Sequence, residues 1–207
     1  MRVFANGLLT GLVIQTAIGP VFFFVINLAL QKSFYDGFFA VVAVTIADYF
    51  YIALAILGIG KLLEKKKVKK TFGIISSVAL IIFGIVIIKG ITGGSFSTTS
   101  DMQSTNLLAS FTTTFLLAIS NPMLIVWNTS LLTAKAIEYN YTKRELLVFG
   151  LAVGLSVFLF MGASIALFSL VKKAVPISLI QILNILVGSL LILYGVIRVT
   201  KVLKNNT

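Results

Sequence analysis

Charged residues cut the chain into six apolar runs, near residues 4–30, 37–60, 71–88, 107–134, 146–171 and 174–197. Each is about as long as the ~20 residues that cross a bilayer as a helix. Only the second run holds an internal charge, Asp48. The pattern predicts an all-α integral membrane protein of six transmembrane helices.

The first and fourth runs are the longest, and each carries a proline deep inside: Pro20 within the uncharged stretch Val3–Gln31, and Pro122 within Met102–Ala134. At ~1.5 Å per residue a run of roughly 27 residues covers roughly 40 Å, against a hydrocarbon core of ~30 Å. An interior proline removes one helical hydrogen bond and clashes with the carbonyl four residues back, here Thr16 and Ala118. Hydrocarbon tolerates such a break only where protein or a water-filled cavity satisfies the freed groups. Helices 1 and 4 are therefore expected to be broken at Pro. The third proline, Pro176, sits at the start of the last run, where a first helical turn accepts it.

The chain also repeats. Both halves open on a long proline-broken run, and both close on a similar phrase, Leu80-Ile81-Ile82-Phe83-Gly84 against Leu191-Ile192-Leu193-Tyr194-Gly195. Between them lies a Gly/Ser/Thr-rich stretch of linker composition. The reading is a single transmembrane transporter domain, 1–207, made of pseudo-repeats 1–91 and 106–207 joined by a polar linker 92–105. Three spans per half make the repeats inverted, a recurring plan in secondary transporters.

Composition strengthens the membrane assignment: 58% of residues are hydrophobic, 11% are charged and mean hydropathy is +1.07. The first run is too long for a signal sequence and reads as a retained span. Net charge is +11, unevenly placed. Six spans put Arg2, the Lys61–Lys70 loop, the Lys135–Glu145 loop and the basic tail on one side, leaving Lys32, Lys89, Lys172 and Lys173 on the other. The positive-inside rule sets both termini in the cytoplasm. The lysine-rich loop then reads as a topology determinant with some affinity for anionic lipid, and not as a nucleic-acid site. With no cysteine and no histidine, disulfide chemistry and thiolate or imidazole metal sites are excluded. Phosphate-loop, nucleophile-elbow and zinc-protease motifs are absent, so neither an enzyme nor a cofactor is expected.

Candidate chemistry gathers at three places. Asp48 falls near the centre of its run, where a charge costs ~2.5–3.5 kcal/mol to insert and so faces a bundle interior; it is a candidate for proton coupling or for a substrate amine. Each break begins a half-helix whose free N–H groups favour an anion such as a carboxylate. Gln15, Thr16, Gly19 and Pro20 make up the first break, Asn121 and Pro122 the second, with Asn128 and Trp127 farther along the fourth span. Tyr49 and Tyr51 flank Asp48 and read as packing residues with polar tips. The pairs Gly7/Gly11 and Gly150/Gly154 form close-packing faces with room for a homodimer.

Gly19-Pro20, Asp48, Asn121-Pro122 and the Phe83-Gly84 and Tyr194-Gly195 phrases, in six spans with this spacing, resemble the LysE/RhtB family of amino-acid exporters. The resemblance covers almost the whole chain and implies an inner-membrane, proton-driven exporter of amino acids or similar small zwitterions. Two positions depart from the common family pattern: Ile18 stands where many members have a first proline, and Met123 where many have lysine after Asn-Pro. Specificity for lysine or threonine is therefore not carried over. Two other classes stay open on the sequence: a membrane assembly or interaction protein that does not transport, and a passive solute channel.

Overall fold

The computed structural model describes residues 1–16, 19–58, 106–119, 123–171 and 177–204, with shorter helical pieces between 70 and 88. The linker 92–105, most of the Lys61–Lys70 loop, Lys89, Asn121, Pro122, Lys172, Lys173 and Pro176 lie outside the described residues.

All regular structure among the described residues is helical. Helix α1 (Arg2–Gln15) is followed by α2 (Pro20–Gln31) and α3 (Phe34–Ile56). After the pieces between 70 and 88 come α4 (Leu107–Ile119), α5 (Met123–Tyr139), α6 (Lys143–Val171) and α7 (Ile177–Lys204). Among the described residues, three stretches are long and apolar enough to cross a membrane: Phe34–Ile56, Lys143–Leu170 and Ile185–Val202. By contrast α1 has 14 residues, α2 12 and α4 13. At ~1.5 Å per residue, none of these three reaches across ~30 Å of hydrocarbon alone.

Local chemistry sets the helix ends. Gly19 takes an extended conformation (φ −116°, ψ 177°) and Pro20 opens α2, where its missing N–H removes no helical bond. Ser33 and Asp36 form a reciprocal box at the start of α3: the Asp36 amide donates to Ser33 Oγ at 3.1 Å, and Ser33 Oγ donates to the carboxylate at 2.6 Å. Thr142 and Glu145 build the same box for α6, with the Thr142 amide donating to Glu145 Oε2 at 2.9 Å. Gly58 (φ +77°) ends α3 and Asn140 (φ 52°) ends α5, both in the left-handed region that closes helices.

Helix α3 is the hub, packed against α2, α4, α5 and α6. Its partnership with α4 is parallel, since Ser110 meets Asp36 near the start of both helices and Ile119 meets Tyr51 farther along. Helices α1 and α6 are parallel too: Gly7 sits against Phe149 and Ala152, and Gly11 against Val153 and Ser156. A Cβ added at Gly7 would lie 2.6 Å from the Phe149 carbonyl oxygen, so only glycine permits this approach. Gly154 seats the Tyr49 ring and Gly150 the Ile52 side chain, which joins α3 to α6. Both glycine faces expected to leave room for a second copy are thus filled within the chain. The two closing phrases also meet: Gly84 lies against Gly188 and Ile192, and Gly195 against Ser77 and Ile81.

Candidate functional site

Asp48 lies midway along α3, 7% exposed, and makes no hydrogen bond or ion pair among the described residues. Its neighbours on the helix turn their polar groups elsewhere. Thr45 Oγ1 donates back to the Val41 carbonyl at 2.8 Å, and Tyr49 Oη donates to the Leu151 carbonyl of α6 at 3.1 Å. One turn on, the Tyr51 hydroxyl donates to the carbonyl of Ile119, the last residue of α4. Tyr51 thus ties α3 to the end of α4, and its polar tip is more than a packing feature.

The first break is satisfied differently. Thr16 Oγ1 and the Thr16 amide both donate to the Val13 carbonyl, at 2.6 and 3.2 Å, closing α1 from within. Phe22 and Phe23 amides reach the Gly19 carbonyl at 3.1 and 3.4 Å, and α2 has no side-chain cap. A side chain at Gly19 would meet nothing within 4 Å. Gln15 is half-buried and makes no hydrogen bond among the described residues.

One apolar cluster joins these places. Phe22 from the start of α2, Val44 and Ala47 from α3, Ala118 from the end of α4, and Val157 from α6 pack together. Chain just before Asp48, just after the first break and just before the second therefore shares a core. Asn128 is buried on α5 and spends its amide on the Leu124 carbonyl at 3.0 Å, one turn back on its own helix. Trp127 faces outward from α5. Asn121 and Pro122 are not described.

A second buried carboxylate went unweighed in the sequence. Asp36 is fully buried, accepting hydrogen bonds at 2.6 Å from both Ser33 Oγ and Ser110 Oγ, the latter on α4. Its sequence signal was the Ser-x-x-Asp spacing of a capping box, in a turn where a carboxylate passes for solvated. Arg198, the first residue after the sixth apolar run, lies inside α7, half-buried, with its charge in electrostatic reach of the Tyr51 hydroxyl. Among the described residues no group of His, Cys, Asp and Glu could hold a metal ion.

A family model described as LysE type translocator matches residues 12–201. No curated protein and no solved structure matches the chain. The match takes in both breaks, Asp48 and every span from α2 onward, and with it the chain belongs to the LysE type translocator family, as a multi-pass membrane transporter that exports small solutes and not an enzyme.

Proposed function

We propose that the protein is a proton-coupled secondary exporter of amino acids or similar small zwitterions, with Asp48 as its coupling carboxylate. The observation that carries this reading is the burial of Asp48 with no hydrogen bond or ion pair among the described residues, on the helix whose core joins the two breaks. An isolated buried charge costs far more than a neutral acid, so a carboxylate there gains or loses its proton as its surroundings open and close. A substrate amine would meet Asp48, and its carboxylate the start of α2, whose first amides have no side-chain cap. Gln15, Thr16 and Gly19 would line that end, and Asn121, Pro122 and Asn128 the other.

Two inverted three-helix repeats in one domain give this site its frame. Short helices α1 and α2 make one broken span, α4 and α5 the other, while α3 and α6 are their second members. Both α3 and α6 begin with a capping box. Counted from those boxes, the buried positions Ala40, Ala43, Val44, Ala47 and Asp48 align with the buried Phe149, Ala152, Val153, Ser156 and Val157. Each broken span packs in parallel on the second helix of the other half, α1 on α6 and α4 on α3. Such an exchange is what a two-fold axis in the membrane plane produces. Lysine placement favours both termini in the cytoplasm.

Reconstitution tests the reading. Proteoliposomes loaded with mixed amino acids are given a pH gradient and the lost solutes are identified. Gradient-dependent loss of one chemical group is expected. Loss indifferent to the gradient would mean a channel, and no loss a protein that does not transport.

A further inference from the structure

The Tyr51 hydroxyl stands between two things that a transporter must keep in step. It holds the Ile119 carbonyl, where the α4 ladder ends, and it projects from the α3 turn that follows Asp48. Residues three apart share a helix face, and the charge of Asp48 acts on the Tyr51 hydroxyl. A phenol has a single proton to donate. We propose that Tyr51 is a positioning residue that ties the state of Asp48 to the end of α4, clamping Ile119 while Asp48 is neutral and releasing it when Asp48 is charged.

A neutral Asp48 makes no strong demand on its neighbours, and the phenol serves the carbonyl. An ionised Asp48 is the strongest acceptor in the bundle interior, and it draws the O–H dipole directly or through one bridging water. Ile119 then loses this donor, and the hold of α3 on the end of α4 weakens. Among the described residues the inverted counterpart shows no such device: α1 closes on its own Thr16, and the position aligned with Tyr51 on α6 is Phe160.

The charged surroundings are simple. Helices α2 and α4 carry no ionisable side chain, α5 has Lys135, Glu138 and Tyr139 at its far end, and α6 has Lys143, Arg144 and Glu145 at its start. Tyr49 is engaged with Leu151, and Arg198 of α7, with Tyr194 beside it, is the cation in reach of the Tyr51 hydroxyl. Among the described residues, Asp48 is the carboxyl group facing Tyr51.

This inference rests on the proton-coupled reading above, and the test separates the two. Amide hydrogen exchange across 119–126 is followed against pH in the purified full chain, without substrate. Protection at the break should fall as pH rises in the native protein. In Tyr51→Phe it should be roughly fivefold lower already at low pH, the worth of one ordinary hydrogen bond, and flat with pH. In Asp48→Asn, with Tyr51 intact, it should stay high and flat, which keeps the test available if Tyr51→Phe folds poorly. In vesicles Tyr51→Phe should still pass solute down its own gradient while losing stimulation by the pH gradient. A native profile flat with pH, or an Asp48→Asn or Tyr51→Phe profile that still follows pH as the native one does, would overturn the role of Tyr51. Native protein that moves no solute would overturn the exporter reading instead, whatever the exchange data say.

Discussion

Replacing Gly7 and Gly162 by alanine, one at a time, should move stability in opposite directions. Both glycines sit inside helices, where alanine is favoured by ~1 kcal/mol on propensity alone. At Gly162 a new Cβ would meet nothing within 4 Å, so that gain should appear almost whole. At Gly7 the same atom would fall 2.6 Å from the Phe149 carbonyl oxygen and 2.9 Å from Ala152 Cβ. Backbone cannot swing aside as a side chain can, so α1 must lift from α6. Overpacking of this kind costs ~1–3 kcal/mol, which offsets or exceeds the propensity gain. Gly162→Ala should therefore be more stable than the native chain and Gly7→Ala less stable, with roughly 1–3 kcal/mol between the two. Denaturation in mixed detergent micelles, at matched protein and detergent concentrations, measures both. If Gly7→Ala stabilised the protein as much as Gly162→Ala does, the close approach of α1 to α6 would be refuted. The parallel packing that frames the site would fall with it.

Three further outcomes follow from the buried polar groups. Ser110→Ala strips the Asp36 carboxylate of a donor held at 2.6 Å and should cost ~1.5–3 kcal/mol in the same assay. Ser33→Ala acts on the same carboxylate and also removes the α3 cap, so a double-mutant cycle with Ser110→Ala should show a coupling of at least ~0.5 kcal/mol; simple additivity would contradict the shared site. Gly11→Ala should destabilise more than Gly7→Ala, because its Cβ would fall on the Ser156 hydroxyl that donates to Val153.

Much of this architecture was legible because charge is so scarce. A lone Asp48 in an uncharged run marks an interior position, and the deep Pro20 marks where a helix opens, without any knowledge of neighbours. Partners were harder to read. Gly7-x-x-x-Gly11 announces a close approach but not to what, since an apolar face fits α6 of the same chain as well as it fits a second copy. Asp36 escaped for the opposite reason: in a polar turn a carboxylate attracts no notice, and only the fold brings Ser110 to it. Tyr51 could be seen beside Asp48, but its acceptor, the Ile119 carbonyl, sits on another helix that only the fold brings to it.

The most direct test of the account compares efflux of amino acids from proteoliposomes holding the native protein or Asp48→Asn, with the pH gradient imposed and then abolished. The native protein should lose one group of solutes faster under the gradient, and Asp48→Asn, equally inserted, should show no response to it. Identical gradient-driven efflux from both would contradict the assignment of Asp48 as the coupling residue.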